Sequence, residues 1–141
     1  MGSIRFQTAD FQKRNQDLEE LMYSFLGSIR RTSFLQDRIP KLDEQMTGYF
    51  KAQGDEFYQY LNKKFSDNEQ ALKMLDFLTS DLRYVKAKYL KFYEKYGDTM
   101  SEVTWRSFPK EFNEFSREMM ARLRIEKEYL FPLLDQLQVQ E

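Results

Sequence analysis

The sequence predicts an all-α protein, an antiparallel up-down four-helix bundle. Three observations lead there. Only 5 Gly and 3 Pro punctuate 141 residues. Apolar residues recur at spacings of three and four, the helical period, and not in the alternation of a strand. The apolar pattern falls into four long amphipathic blocks joined mostly by short connections, which is how antiparallel neighbours are linked in a bundle.

The first helix is expected from about Asp10 to Arg31, with an inward stripe of Phe11, Asn15, Leu18, Met22, Phe25 and Ile29. Residues 32–39 read as a connection, and Pro40 suits the first turn of the next helix, where a missing N–H costs nothing. That second helix is expected to run unbroken to about Phe65, with stripe Leu42, Met46, Tyr49, Gln53, Phe57 and Tyr60. Gly54 lies inside it at a cost of about 1 kcal/mol relative to Ala, and marks either a close helix approach or a local kink. Ser66 and Glu69 have the spacing of a capping box for the third helix. Its stripe is Leu72, Leu75, Thr79, Leu82, Val85, Tyr89, Phe92 and Tyr96, and Gly97 is its expected stop. Residues 98–106 form a longer connection with a helical turn expected after Thr99. The fourth helix is expected from Phe108-Pro109 to about Leu137, with stripe Phe112, Phe115, Met119, Arg122, Glu126, Leu130, Leu133 and Leu137. Pro132 lacks the N–H that would reach the Glu128 carbonyl, so a kink is expected there. No shift in composition and no low-complexity segment divides the chain, which reads as one domain over 1–141.

Composition removes several function classes. With no His and no Cys, the chain lacks the commonest general base, the commonest transition-metal ligand, any thiolate site, any disulfide and any phosphohistidine relay. Charged residues nearly cancel, to a net charge of -1, and no basic stripe of the kind a nucleic-acid binder shows is present. No run of about 18 apolar residues offers a membrane span. The N-terminus has no signal-peptide pattern, and after Met1-Gly2-Ser3 a Phe at position 6 defeats a myristoylation match. The expected location is cytoplasmic. An enzyme would have to draw on Glu, Asp, Lys or Tyr, and no paired stripe carboxylates or phosphate-cradling glycine loop appear; the chain reads as non-catalytic.

Two segments echo each other. Leu42, Met46, Tyr49, Gln53 and Phe57 in the second helix line up with Phe115, Met119, Arg122, Glu126 and Leu130 in the fourth. The pattern suits either a duplicated helical hairpin or the chance likeness of two amphipathic helices.

The run Arg122-Leu123-Arg124-Ile125-Glu126-Lys127-Glu128-Tyr129-Leu130-Phe131-Pro132-Leu133-Leu134 resembles the last helix of hemerythrin-like (HHE cation-binding) domains, where it reads His-x-x-x-Glu-Glu-x-x-Leu-Phe-Pro-Leu-Leu. The likeness is sharp over about residues 112–134 and architectural elsewhere. It implies a four-helix bundle whose members hold two irons with histidines and carboxylates between the helices. Here the ligand positions hold other groups. Arg122 stands at the histidine of the last helix, Tyr49 and Gln53 stand at a His and a Glu, and Asn15 stands at the histidine of the first helix. Only Glu126 keeps its identity, so no metal and no other cofactor is expected.

Asn15, Gln53, Arg122 and Glu126 nonetheless lie on stripes that should be apolar, and Tyr49 adds a hydroxyl. Arg122 and Glu126 are one turn apart on one face. Either these five residues form a buried polar network where the metals would sit, or Arg122 snorkels to solvent and Glu126 sits at the stripe's edge. The functions expected are a metal-free regulatory or protein-interaction module acting on a partner or on itself, or a sensor whose anionic small ligand binds between the helices near Arg122. The abundant aromatics read as core, with off-stripe Tyr58, Tyr84 and Tyr93 as candidates for a partner face. Arg30-Arg31-Thr32-Ser33, similar to a basophilic kinase site, and the lysines 86, 88, 91 and 95 read as solvated surface.

Overall fold

The computed structural model of the chain describes residues 6–97 and 105–140, with side chains up to 137. All its regular structure is helical: α1 (Thr8–Gly27), α2 (Thr32–Gln36), α3 (Ile39–Ala52), α4 (Asp55–Lys64), α5 (Glu69–Tyr96), α6 (Phe108–Ile125), a π-helical turn (Glu126–Leu130) and α7 (Phe131–Gln140). No strand occurs among the described residues. The expected turn after Thr99 and the N-terminal Met1-Gly2-Ser3 lie outside them.

Most stripe positions bury as the spacing requires, while Ile29 and Tyr60 at the ends of the first and second stripes are half-buried. Every member of the fourth stripe, from Phe112 to Leu137, is buried. On α5 the buried face is Leu75, Leu78, Leu82, Val85, Tyr89, Phe92 and Tyr96; Leu72 and Thr79 of the expected stripe are half-buried, because Ala71 and Leu78 turn further inward. The helices pair through these faces. Tyr96 meets Phe108, Phe92 stacks on Phe115, and Arg122 reaches the Leu78 carbonyl, so α5 and α6 run antiparallel. Phe25 stacks on Phe112 while Asn15 bonds to Leu123, which sets α1 antiparallel to α6. Around Phe92, Tyr96, Trp105, Phe108 and Phe112 the core is almost wholly aromatic. Such ring pairs add roughly 0.5–1.5 kcal/mol each beyond their buried area.

Four expectations are corrected. The second helix is two helices. It breaks at Gln53-Gly54, where Gln53 leaves helical geometry and Gly54 takes an extended conformation as N-cap of α4. Asp55 and Glu56 in the first turn of α4 and Lys63 and Lys64 in its last complement the helix dipole, so the sequence does carry a helix start here. Asn68 caps α5, and not Ser66: its side chain accepts from the Ala71 N–H at 3.0 Å. The first helix ends at Gly27, and the expected connection contains the short α2. The irregularity attributed to Pro132 lies upstream, as a π turn in which the Phe131 N–H bonds the Glu126 carbonyl. A proline ring clashes with the carbonyl four residues back; widening the preceding turn by one residue relieves that clash while the apolar stripe continues.

Candidate functional site

The five polar stripe residues come together at the centre of the fold. Arg122 is 0% exposed, Glu126 1% and Asn15 0%; Tyr49 and Gln53 are buried beside them. Of the two alternatives the sequence left open, the buried network is the one the structure adopts.

Helix geometry explains each placement. Arg122 ends the α6 stripe and Glu126, one turn on, begins the π turn. Arg122 Nε reaches Glu126 Oε2 at 3.1 Å and the Tyr49 hydroxyl at 3.2 Å. Its Nη1 donates to the Leu78 carbonyl at 2.8 Å and to Asp81 at 3.2 Å. Its Nη2 donates to Gln53 Oε1 at 2.9 Å and to the Tyr58 hydroxyl at 3.0 Å. A guanidinium has five N–H groups in a rigid fork; here each Nη has two acceptors for its two hydrogens and the single Nε hydrogen is shared between two. Glu126 is likewise surrounded by donors: Asn15 Nδ2 on Oε1 at 3.0 Å, and Tyr49, Gln53 Nε2 at 2.8 Å and Arg122 Nε on Oε2. Tyr58 closes the ring by donating to Gln53 Oε1 at 2.9 Å.

Burying an ion costs several kcal/mol unless it is paired and its remaining hydrogen-bonding capacity is met. Arg122 meets both conditions, and Asp81, itself partly exposed, supplies a second negative charge. Burial lowers the guanidinium's affinity for its proton, but Tyr49, Tyr58 and Glu126 around it outweigh that and hold it above its ordinary range. Burial pushes the phenols the other way: Tyr49 lies well above the ordinary tyrosine range, also raised by Glu126, and Tyr58 is pushed up to about 12 against the lowering effect of Arg122. Both hydroxyls are therefore neutral donors at neutral pH.

The two echoing segments meet here, residue against residue. Tyr49 bonds to its counterpart Arg122, and Gln53 to its counterpart Glu126. The helical irregularities fall at the same register: α3 ends before Gln53 and α6 ends before Glu126. Each break turns a polar side chain inward at the same level of the core.

Sequence reasoning missed three participants. Tyr58, a candidate for a partner face, is instead buried in the network; the break at Gly54 restarts the helix and rotates it inward. Asp81 adjoins the stripe residue Leu82, a position from which a carboxylate reaches the core edge. The Leu78 carbonyl carries no signal in sequence.

A di-iron centre of the kind the resemblance implies does not fit these residues. Among the described residues no three His, Cys, Asp or Glu side chains converge; the one central carboxylate is committed to four donors, and a fixed cation stands beside it. An anion beside Arg122 would have to displace a protein acceptor, since the guanidinium has no spare N–H. Compared with protein-family models, with characterised proteins and with solved structures, the chain has no match.

Proposed function

We propose that this chain is a metal-free, hemerythrin-like four-helix bundle that serves as a non-catalytic regulatory or protein-interaction module. One observation supports this reading above the others: the centre of the fold, where the resemblance puts metal chemistry, is filled by a closed hydrogen-bond network around Arg122 and Glu126. Apart from Asn15 Oδ1, the polar capacity there is used in holding helices together. What is left to act is the surface, which exposes Tyr23, Phe77, Tyr84, Leu90 and Tyr129. Phe77 of α5 and Tyr129 of the π turn touch edge to face at 6.5 Å, giving an exposed aromatic pair across two elements; aromatics of this kind are enriched in binding patches.

The test has two arms. Elemental analysis of protein purified without chelator is expected to find no stoichiometric iron; near-stoichiometric iron would overturn the metal-free reading. A photo-crosslinking residue placed at Phe77 or Tyr129 in living cells is expected to give a discrete adduct, with a partner or a second copy, that the same residue at Lys13 on α1 does not give. Identical patterns from all three positions would refute the surface role.

A further inference from the structure

A groove of about 500 Å³ runs between α1 and the segment formed by the π turn and α7. Asn15 lines it and is the only one of the five residues Asn15, Tyr49, Gln53, Arg122 and Glu126 to do so. Its side chain has one hydrogen-bonding group in use and one idle. Nδ2 donates to the Leu123 carbonyl at 2.9 Å and to Glu126 Oε1 at 3.0 Å. Both partners are acceptors, so turning the amide over would set oxygen against two oxygens, and its orientation is fixed by chemistry. Oδ1 is therefore the atom facing away from them; it is buried and has no partner among the described residues. An orphaned buried acceptor is unfavourable, a cost relieved by any donor that reaches it.

We propose that this groove binds a primary alkylammonium compound, its ammonium head donating to Asn15 Oδ1. The charges around the groove select a cation. Glu19 and the exposed Asp135 line it, and Lys127, the one cation among its described lining residues, is tied to Glu19 at 3.0 Å. Phe131, largely buried, and Pro132 line the groove and supply apolar surface for the alkyl chain. The volume is within the range of small-ligand sites, roughly 300–1,000 Å³. A π turn borders the groove on one side, and such turns in helices recur at functional sites. Oδ1 lies beneath the groove surface, and the exposed Gln12 and Gln16 side chains line the same groove. A donor on Oδ1 polarises the amide and strengthens the Nδ2 bond to Glu126, so occupancy of the groove is felt by the central network. The site stands on this geometry and not on the surface role proposed above.

The probe is n-butylammonium, titrated into uniformly ¹⁵N-labelled protein at neutral pH and physiological ionic strength, with butanoate as the control of opposite charge. Saturable shifts are expected in the Asn15 side-chain amide and in backbone amides of 12–19 and 127–135, with none from butanoate. Asp135→Asn removes a rim charge outside the network and is expected to weaken binding by about two- to fivefold, the usual worth of an exposed ion pair. Asn15→Ala should abolish binding; because it also strips Glu126 of a donor, Asp135→Asn carries the test if that variant does not fold. Non-saturating shifts, equal shifts from butanoate, or an Asp135→Asn variant that binds unchanged would overturn the proposal and leave a single water as the occupant of Oδ1.

Discussion

Replacing Arg122 by Met keeps the length of the stem and removes the guanidinium. Seen from the structure, the loss is not the sum of six hydrogen bonds. It is dominated by what stays behind: a Glu126 that is 1% exposed and has lost the one cation paired with it among the described residues, with Gln53 Oε1 losing its charged donor. Breaking a buried pair by deleting one partner costs roughly 3–5 kcal/mol. Against a typical total stability of about 5–15 kcal/mol, that is a large fraction, equivalent to roughly 6–20 °C in Tm for a chain of this size. The comparison that isolates the cause is a double-mutant cycle. Glu126→Gln alone leaves the Arg122 charge supported only by partly exposed Asp81, and should cost a similar amount. The double variant Arg122→Met/Glu126→Gln contains no buried charge, so its loss should fall short of the sum by more than about 1.5 kcal/mol. Urea unfolding followed by far-ultraviolet circular dichroism gives all three values. A single-variant loss below about 1 kcal/mol, or a double variant additive within about 0.5 kcal/mol, would show that Arg122 is hydrated or mobile in solution and would refute the closed network.

Other consequences concern pH, caps and the helix break. Tyr58 has its hydroxyl pushed up to about 12 by burial, whereas an unfolded chain ionises tyrosine near pH ~10. The neutral form is the one the fold favours. Stability on this account is fully present below about pH 10 and falls as pH rises toward about 12; Tyr49 adds to the same loss. Ultraviolet absorbance of tyrosinate should show these phenols ionising only as the fold is lost, and free ionisation of all tyrosines near pH ~10 in folded protein would contradict the burial. Asn68→Ala should destabilise by about 1 kcal/mol through loss of the α5 cap, while Ser66→Ala should change stability by less than about 0.5 kcal/mol; the reverse order in thermal melts would restore the Ser66 cap. Gly54 has φ of -75° and its added Cβ would meet only the Lys51 carbonyl, at 3.4 Å. Nothing there requires glycine, so Gly54→Ser should stabilise by about 0.5–1 kcal/mol through a better N-cap and a stiffer unfolded chain. A loss above about 1 kcal/mol would mean that the position needs glycine after all.

Much of the fold was legible because a bundle core repeats one signal many times. The fourth stripe is read correctly from Phe112 to Leu137 even across the π turn, since one extra residue per turn shifts the face without breaking the apolar run. The candidate site was legible for a related reason. A polar residue on an apolar stripe must find a partner or pay to be buried, so Asn15, Gln53, Arg122 and Glu126 stood out. Boundaries were less legible. Ser66 and Asn68 are both capable caps two residues apart, and only the path of the chain into α5 chooses between them. Gly54-Asp55-Glu56 carried a helix-start signal, but the continuing spacing of Met46, Tyr49, Gln53 and Phe57 obscured it.

By itself the sequence determined that the chain is helical, which faces turn inward, that iron held by histidine is impossible, and which five polar side chains stand on inward-facing stripes. These follow from periodicity and residue chemistry, which are local. Only the tertiary structure decided how those side chains are joined. Tyr58 and Asp81 enter the network because of how α4 restarts and how α5 leans on α6. The last Arg122 donors are met by Gln53, Tyr58 and a backbone carbonyl of another helix, and Asn15 is left with an unused oxygen beside a groove. Hydrogen-bond partners more than 40 residues apart are fixed by the packing of whole helices against one another, and no local pattern in the chain encodes that distance.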